Sequence, residues 1–135
     1  MLEVEVFGAQ LLSDPLSQGR MERLCALALA SAGVREGHLA VEFVDADRMA
    51  LLNGEHRGKE GPTDVLSFPV DGADPSAPGD GPPRELGDIV ICPEHTFDIS
   101  EAIVHGTLHL VGMDHETDEG EMLALQAELL RWGTS

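Results

Sequence analysis

A single domain that mixes strands with helices is what this chain predicts, and three observations lead there. Its 135 residues are enough to bury one core without staples and give no reason to seek a second domain, so residues 1–135 are taken as one unit. Stretches with a two-residue apolar period alternate with stretches of helical period, in the order strand, helix, strand, helix, strand, strand, helix, helix. Turn and cap residues fall at the joins, and no internal repeat is visible.

Residues 2–7 alternate apolar and acidic side chains, the pattern of an edge or outer strand with one wet face. After Ser13, Asp14 and Pro15, residues 21–32 place Met21, Leu24 and Ala28 at helical spacing and stop before Gly33. Residues 38–44 return to alternation, and Asp45 then offers an N-cap for a short helix through Leu52 and Asn53. Residues 54–62 are polar and contain glycine, which reads as a loop, and residues 65–69 form a short strand closed by Pro69. Residues 71–83 carry breakers and acids with almost no large apolar side chain, so they read as a surface loop, more simply an inert connection than a lid. Residues 86–92 are a further strand. Asp98 with Glu101 gives the capping-box pattern that opens the next helix, and Asp118 with Glu121 repeats it before a last helix. There Met122, Leu125, Leu129 and Trp132 make a stripe read as core packing.

The histidines carry the chemistry. Three of the six fall within residues 105–115, with His105 and His109 four apart. On a helix that spacing turns the second ring only about 40° from the first and one turn along, so both leave the same face. Gly112 follows the last apolar residue, where a left-handed glycine commonly ends a helix, and the chain can then return His115. Three imidazoles would leave the fourth tetrahedral position of a zinc ion open, the catalytic rather than the structural arrangement. A lone histidine on such a helix is more simply a satisfied core residue. Three of them among Ile103, Val104, Leu108, Leu110 and Val111 need partners, and one metal serves all. The expected ligands are His105, His109 and His115 around one zinc, although copper or nickel would bind as well or better.

The same spacing occurs in the extended zinc-protease motif H-E-x-x-H-x-x-G-x-x-H, with one decisive change. Where those proteases have the glutamate that activates water, this chain has Gly106. A peptidase or amidase would have to use Asp114 or Glu116 as its base.

The formal charge of −17 argues against a nucleic-acid partner, because phosphate neutralisation supplies most non-specific affinity. The charges are not uniform, however. Acids crowd residues 71–85 and 116–128, whereas His56, Arg57 and Lys59 make a short basic cluster elsewhere, and a bound divalent metal would add positive charge. Cys25 and Cys92 stand in apolar company and in no C-x-x-C pattern, so they read as buried free thiols in a reducing compartment. With no secretory pattern at the start and no apolar run of membrane-spanning length, a cytoplasmic protein is expected.

The run His105 Gly106 Thr107 Leu108 His109 Leu110 Val111 Gly112 Met113 Asp114 His115 resembles the H-G-x-L-H-L-x-G-x-D-H signature of the YbeY family of bacterial ribosomal RNA maturation endoribonucleases. Two more stretches agree with it: Leu52 Asn53 followed by Arg57 and by Thr63 Asp64 Val65 Leu66 Ser67 Phe68 Pro69, and Leu86 Gly87 Asp88 Ile89 Val90 Ile91. The resemblance implies an α+β fold with a small mixed β-sheet packed against helices and a metal-binding cleft for one zinc. It implies a zinc-dependent, single-strand-specific endoribonuclease in the maturation of small-subunit ribosomal RNA and in ribosome quality control. The partners that go with it are ribosomal RNA, the small ribosomal subunit and a ribosome-associated GTPase, with no membrane. His105, His109 and His115 carry over as zinc ligands, and Arg57 as the cleft arginine tied to activity and RNA contact.

Physical chemistry supplies roles beside these. Arg57 can pair bidentately with a phosphate and stabilise transition-state charge, or be a solvated loop residue. Asp114 can orient an imidazole or act as a base, or merely close a local turn. Lys59 and His56 are candidate phosphate contacts, and Thr63, Asp64 and Ser67 can line the cleft or serve turns and strand ends. The catalytic set is thus Arg57, His105 and Asp114, and the substrate-binding set Arg57, Lys59 and Ser67. Three departures from the family pattern stand out: residues 93–104 are few, so a truncated helix is expected before the metal helix, Met113 stands where an aromatic is frequent, and the chain is strongly acidic. The rivals are a zinc peptidase or amidase and a non-catalytic ribosome assembly factor that keeps the metal site.

Overall fold

A computed structural model describes residues 2–13, 16–70, 85–112 and 120–134. Four strands and four helices follow one another as β1 (Leu2–Phe7), α1 (Gln18–Ser31), β2 (Gly37–Phe43), α2 (Ala46–Arg57), β3 (Val65–Pro69), β4 (Glu85–Ile91), α3 (Ile99–Leu110) and α4 (Glu121–Thr134). The strands form one mixed sheet in the order β1-β2-β4-β3. β1 and β4 both run parallel to β2, and β3 closes the other edge antiparallel to β4, with Ser67 opposite Ile89. Parallel neighbours need a long crossover, and α1 supplies it between β1 and β2.

The α+β reading therefore holds, with β1 at an edge as its alternating pattern requires. Its inward residue Val4 is buried while Glu3 and Glu5 face water. The main core lies between one sheet face and helices α1, α3 and α4, built from residues such as Leu24, Leu29, Leu39, Val41, Ile89, Ile103 and Leu108. A smaller cluster, Val44, Met49, Leu66, Val90 and Cys92, holds α2 on the opposite face. Strand β3 serves both layers, since alternate side chains of a strand point to opposite faces. Leu66 and Phe68 pack toward α2, whereas Val65 packs with the main core.

Cys25 and Cys92 are free and buried. Burial pushes the Cys25 thiol up to about 12 and raises Cys92 as well, so neither is a ready nucleophile. No helix among the described residues is long and apolar enough to cross a membrane.

The helix after Asp45 is longer than the sequence suggests. Asp45 caps it as expected, its side chain accepting from the Arg48 N–H at 2.8 Å, but the helix runs through Gly54 to Arg57. A glycine inside a helix costs only about 1 kcal/mol, which the packing of Met49 offsets. The true stop is Gly58, in the left-handed region at φ 66°, where a side chain would be strained. His56 and Arg57 therefore stand on a last helical turn and not in a loop. Ahead of α3 the short segment holds a single 3-10 turn, Pro93–His95, consistent with the truncation expected there. The 71–83 loop and the proposed cap Asp118 lie outside the described residues. α4 begins at Glu121, with the Gly120 carbonyl accepting from the Ala124 N–H at 3.1 Å.

Candidate metal centre

Helix α3 is capped by Asp98, whose side chain accepts from the Glu101 N–H at 3.2 Å, and beyond Glu101 most of its residues are buried. Ala102, Ile103, Val104, Gly106, Thr107, Leu108 and Leu110 are buried. After Glu101, His105 and His109 are the only α3 side chains left half-exposed, so the i, i+4 pair forms the one accessible stripe of a buried helix. Leu110 is the last helical residue and Gly112 has φ 95°, the left-handed ending read from the sequence.

The two imidazoles converge. Their Nε2 atoms are 3.1 Å apart, with ring centroids at 4.7 Å and ring planes at 72°. Two nitrogens bound to one tetrahedral zinc at about 2.0–2.1 Å would lie about 3.3 Å apart, so the pair is already close to a shared-metal spacing. His105 Nδ1 lies 2.8 Å from Oε1 of Gln126 on α4. An amide oxygen only accepts, so in this contact Nδ1 is the donating nitrogen, and the Nε2 atom faces His109. The donor chemistry fits a borderline-soft divalent ion. Among the described residues no group of three ligating side chains is assembled. The expected third ligand, His115, and the candidate base Asp114 lie outside them, as do Met113 and Glu116.

Gly106 explains how α3 sits so close to the sheet. A Cβ at this position would lie 2.6 Å from Cγ2 of Ile89 and 3.3 Å from both Ser67 Oγ and Val65 Cγ2. The Ser67 hydroxyl donates to the Gly106 carbonyl at 2.9 Å and ties β3 to α3 at the same point. Position 106 therefore faces the sheet, and a glutamate there would start inside a packed contact. This is a steric reason, beyond the residue's identity, for the absence of the protease-type base.

The remaining candidates are spread around the β3 edge. Arg57 is exposed on the last turn of α2, and Lys59 is exposed just beyond the Gly58 cap. Neither makes a hydrogen bond to the histidine pair, and α2 lies on the other face of the sheet from α3. The His56 ring packs on Phe68 of β3, centroids 4.3 Å apart, which anchors the end of α2. Buried Asn53 fixes the next segment, its Nδ2 donating to the Gly61 carbonyl at 2.9 Å. Thr63 and Asp64 hydrogen-bond each other, and the Asp64 carboxylate accepts from the Val65 N–H at 2.8 Å, a strand-start role. Ser67, expected to contact substrate, spends its hydroxyl proton on α3.

Gln126 is the residue that sequence reading missed. It lies between Met122 and Leu129 on the buried side of α4, and a glutamine on an apolar stripe was the available signal. Of the expected stripe, Met122 and Leu129 are buried and Leu125 packs against the core, while the side chain of Trp132 lies outside the described ones.

Residues 12–132 match the family model described as Endoribonuclease YbeY. A protein of that name from Salinispora tropica is 44% identical over 124 residues, spanning 76% of this chain and 79% of that one. Another from Thermobifida fusca is 42% identical over 86% of this chain and 85% of its own, and one from Macrococcus caseolyticus is 32% identical over 96% and 94%. The fold resembles a solution structure of a Thermotoga maritima protein with a TM-score of 0.53 and 25% identity, covering 96% of this chain and 88% of that one.

Proposed function

Since the chain belongs to the YbeY family, whose members are named as endoribonucleases, we propose that it hydrolyses phosphodiester bonds of RNA at a zinc centre held by His105, His109 and His115. The observation that carries the reading is the pair of Nε2 atoms 3.1 Å apart on the accessible stripe of α3. The proposed substrate is single-stranded small-subunit ribosomal RNA, during its maturation and in ribosome quality control. The proposed setting is the cytoplasm, with the small ribosomal subunit and a ribosome-associated GTPase as partners.

When bound, zinc makes a water acidic enough to ionise near neutral pH and polarises a phosphoryl oxygen. The chain does the rest. His105 and His109 supply neutral nitrogen donors from a helix clamped to the sheet, so their spacing is set before any metal arrives. Arg57, exposed and planar, pairs with the phosphate and stabilises the charge that builds on its oxygens. Lys59 adds a second, flexible phosphate contact. Asp114 orients a neighbouring imidazole or takes a proton from the attacking group. Ser67 acts indirectly, by holding α3 against β3.

Gly106 weighs against the peptidase reading, because its face of α3 is occupied by Ile89, Ser67 and Val65. A second reading, a non-catalytic assembly factor that keeps the metal, is favoured by the formal charge of −17, which is unusual for a protein that grips RNA. The test is cleavage of a labelled single-stranded RNA by zinc-loaded protein, chelator-stripped protein and Arg57→Ala, with His109→Ala prepared identically to control for contaminating nuclease. The endoribonuclease reading predicts cleavage by the loaded wild type alone, with Arg57→Ala slowed by about 100-fold or more. No cleavage by a wild type that binds one zinc per chain would transfer the assignment to the assembly factor.

A further inference from the structure

We propose that Gln126 is a positioning residue of the metal centre, fixing the tautomer and ring orientation of His105 from the neighbouring helix. The inference rests on the reading of His105 and His109 as metal ligands. Gln126 is a buried polar side chain between Met122 and Leu129, and its Oε1 lies 2.8 Å from His105 Nδ1. An apolar residue would fill such a helix interface at less cost, since a polar group buried there must be satisfied. What Gln126 adds is direction.

With its amide oxygen turned to the ring, Gln126 favours the proton on Nδ1, which leaves Nε2 as the donor atom 3.1 Å from Nε2 of His109. Metal-bound histidines commonly donate their other N–H to such a partner, and loss of that partner typically weakens metal binding by about 10- to 100-fold. The bond also joins α4 to α3 across 21 residues of sequence.

The test measures zinc affinity of the full chain by competition with a chromophoric chelator, for wild type, Gln126→Leu, Gln126→Glu and His109→Ala. In parallel, long-range nitrogen NMR of the metal-free proteins reads the His105 tautomer. Wild type should bind one zinc with His105 protonated on Nδ1. Gln126→Leu should bind about 10- to 100-fold more weakly and lose the tautomer preference, while keeping the wild-type circular dichroism spectrum. Gln126→Glu keeps an acceptor and should restore both readouts. If wild type and His109→Ala bind zinc alike, or neither binds it, the metal reading falls and takes this inference with it. If His109→Ala loses zinc while Gln126→Leu binds as wild type does, the metal reading stands and the role of Gln126 is overturned. Should Gln126→Leu not fold, Gln126→Glu decides: wild-type affinity and tautomer uphold the role, and loss of either overturns it.

Discussion

Helices α3 and α2 are equally long and lie on opposite faces of one sheet, yet the sheet holds them very differently. Of twelve residues each, α3 buries seven and α2 only two, Met49 and Asn53. α3 approaches so closely that a Cβ at Gly106 would strike Ile89, whereas Gly54 of α2 has only the Lys59 carbonyl oxygen within 4 Å, at 3.9 Å. The difference suits what each helix presents. The metal ligands proposed for α3 would have to be held to within about 0.5 Å, and its close packing on the sheet suits that role. The phosphate-pairing role proposed for Arg57 needs only a stable stem for a long side chain, and α2 gives it that much.

The largest effect expected from this contrast is on stability. Leu108→Ala, at a fully buried α3 position, should cost about 2–5 kcal/mol in urea unfolding, while Leu51→Ala, half-exposed on α2, should stay within about 0.5 kcal/mol. Equal losses would break the comparison. A sharper version uses one substitution in both helices. Gly106→Ala gains helix propensity worth about 1 kcal/mol but forces a 2.6 Å contact on Ile89, for a net loss on the order of 1–2 kcal/mol. Gly54→Ala meets nothing tighter than an ordinary contact and should stabilise by up to about 1 kcal/mol. The two changes should move the unfolding midpoint in opposite directions, and a shared sign would mean that the two helices are packed alike.

How much of this could be read beforehand depended on whether the signal was local. Asp98, the apolar run and Gly112 mark the start, burial and end of α3 within fifteen residues, so the convergence of His105 and His109 on one helix face was legible. The extension of α2 was not, because Gly54 reads as a breaker and only the packing of Met49 and the Gly58 cap show where the helix ends. Sheet order was hidden for another reason: placing β4 between β2 and β3 is a pairing of distant strands that no single stretch encodes. Gln126 escaped because apolar periodicity passes over a polar residue on the buried side of a helix.

The smallest predicted effect lies where β1, β2 and β4 run side by side. His38 on β2 reaches Glu85 of β4 at 2.9 Å and Glu5 of β1 at 2.7 Å, one carboxylate on each ring nitrogen. The hydrogen bond to Glu85 is the main cause raising its pKa above 6.5. A raised folded-state value means that the stabilisation is complete below the unfolded pKa and fades as pH rises through the folded one. Both glutamates are largely exposed, so the contribution should stay under about 1 kcal/mol. In urea unfolding, wild type should exceed His38→Gln by most at about pH 5.5 and by little at about pH 8.5. A gap that widens with pH would contradict the assigned sign.

Metal stoichiometry of the intact protein by native mass spectrometry, for wild type, His109→Ala and Arg57→Ala, tests the division of labour between α3 and α2 most directly. The expected result is one zinc per chain in wild type and in Arg57→Ala, and none in His109→Ala. Zinc retained by His109→Ala, or lost from Arg57→Ala, would contradict a metal centre built on α3 with Arg57 acting only at the phosphate.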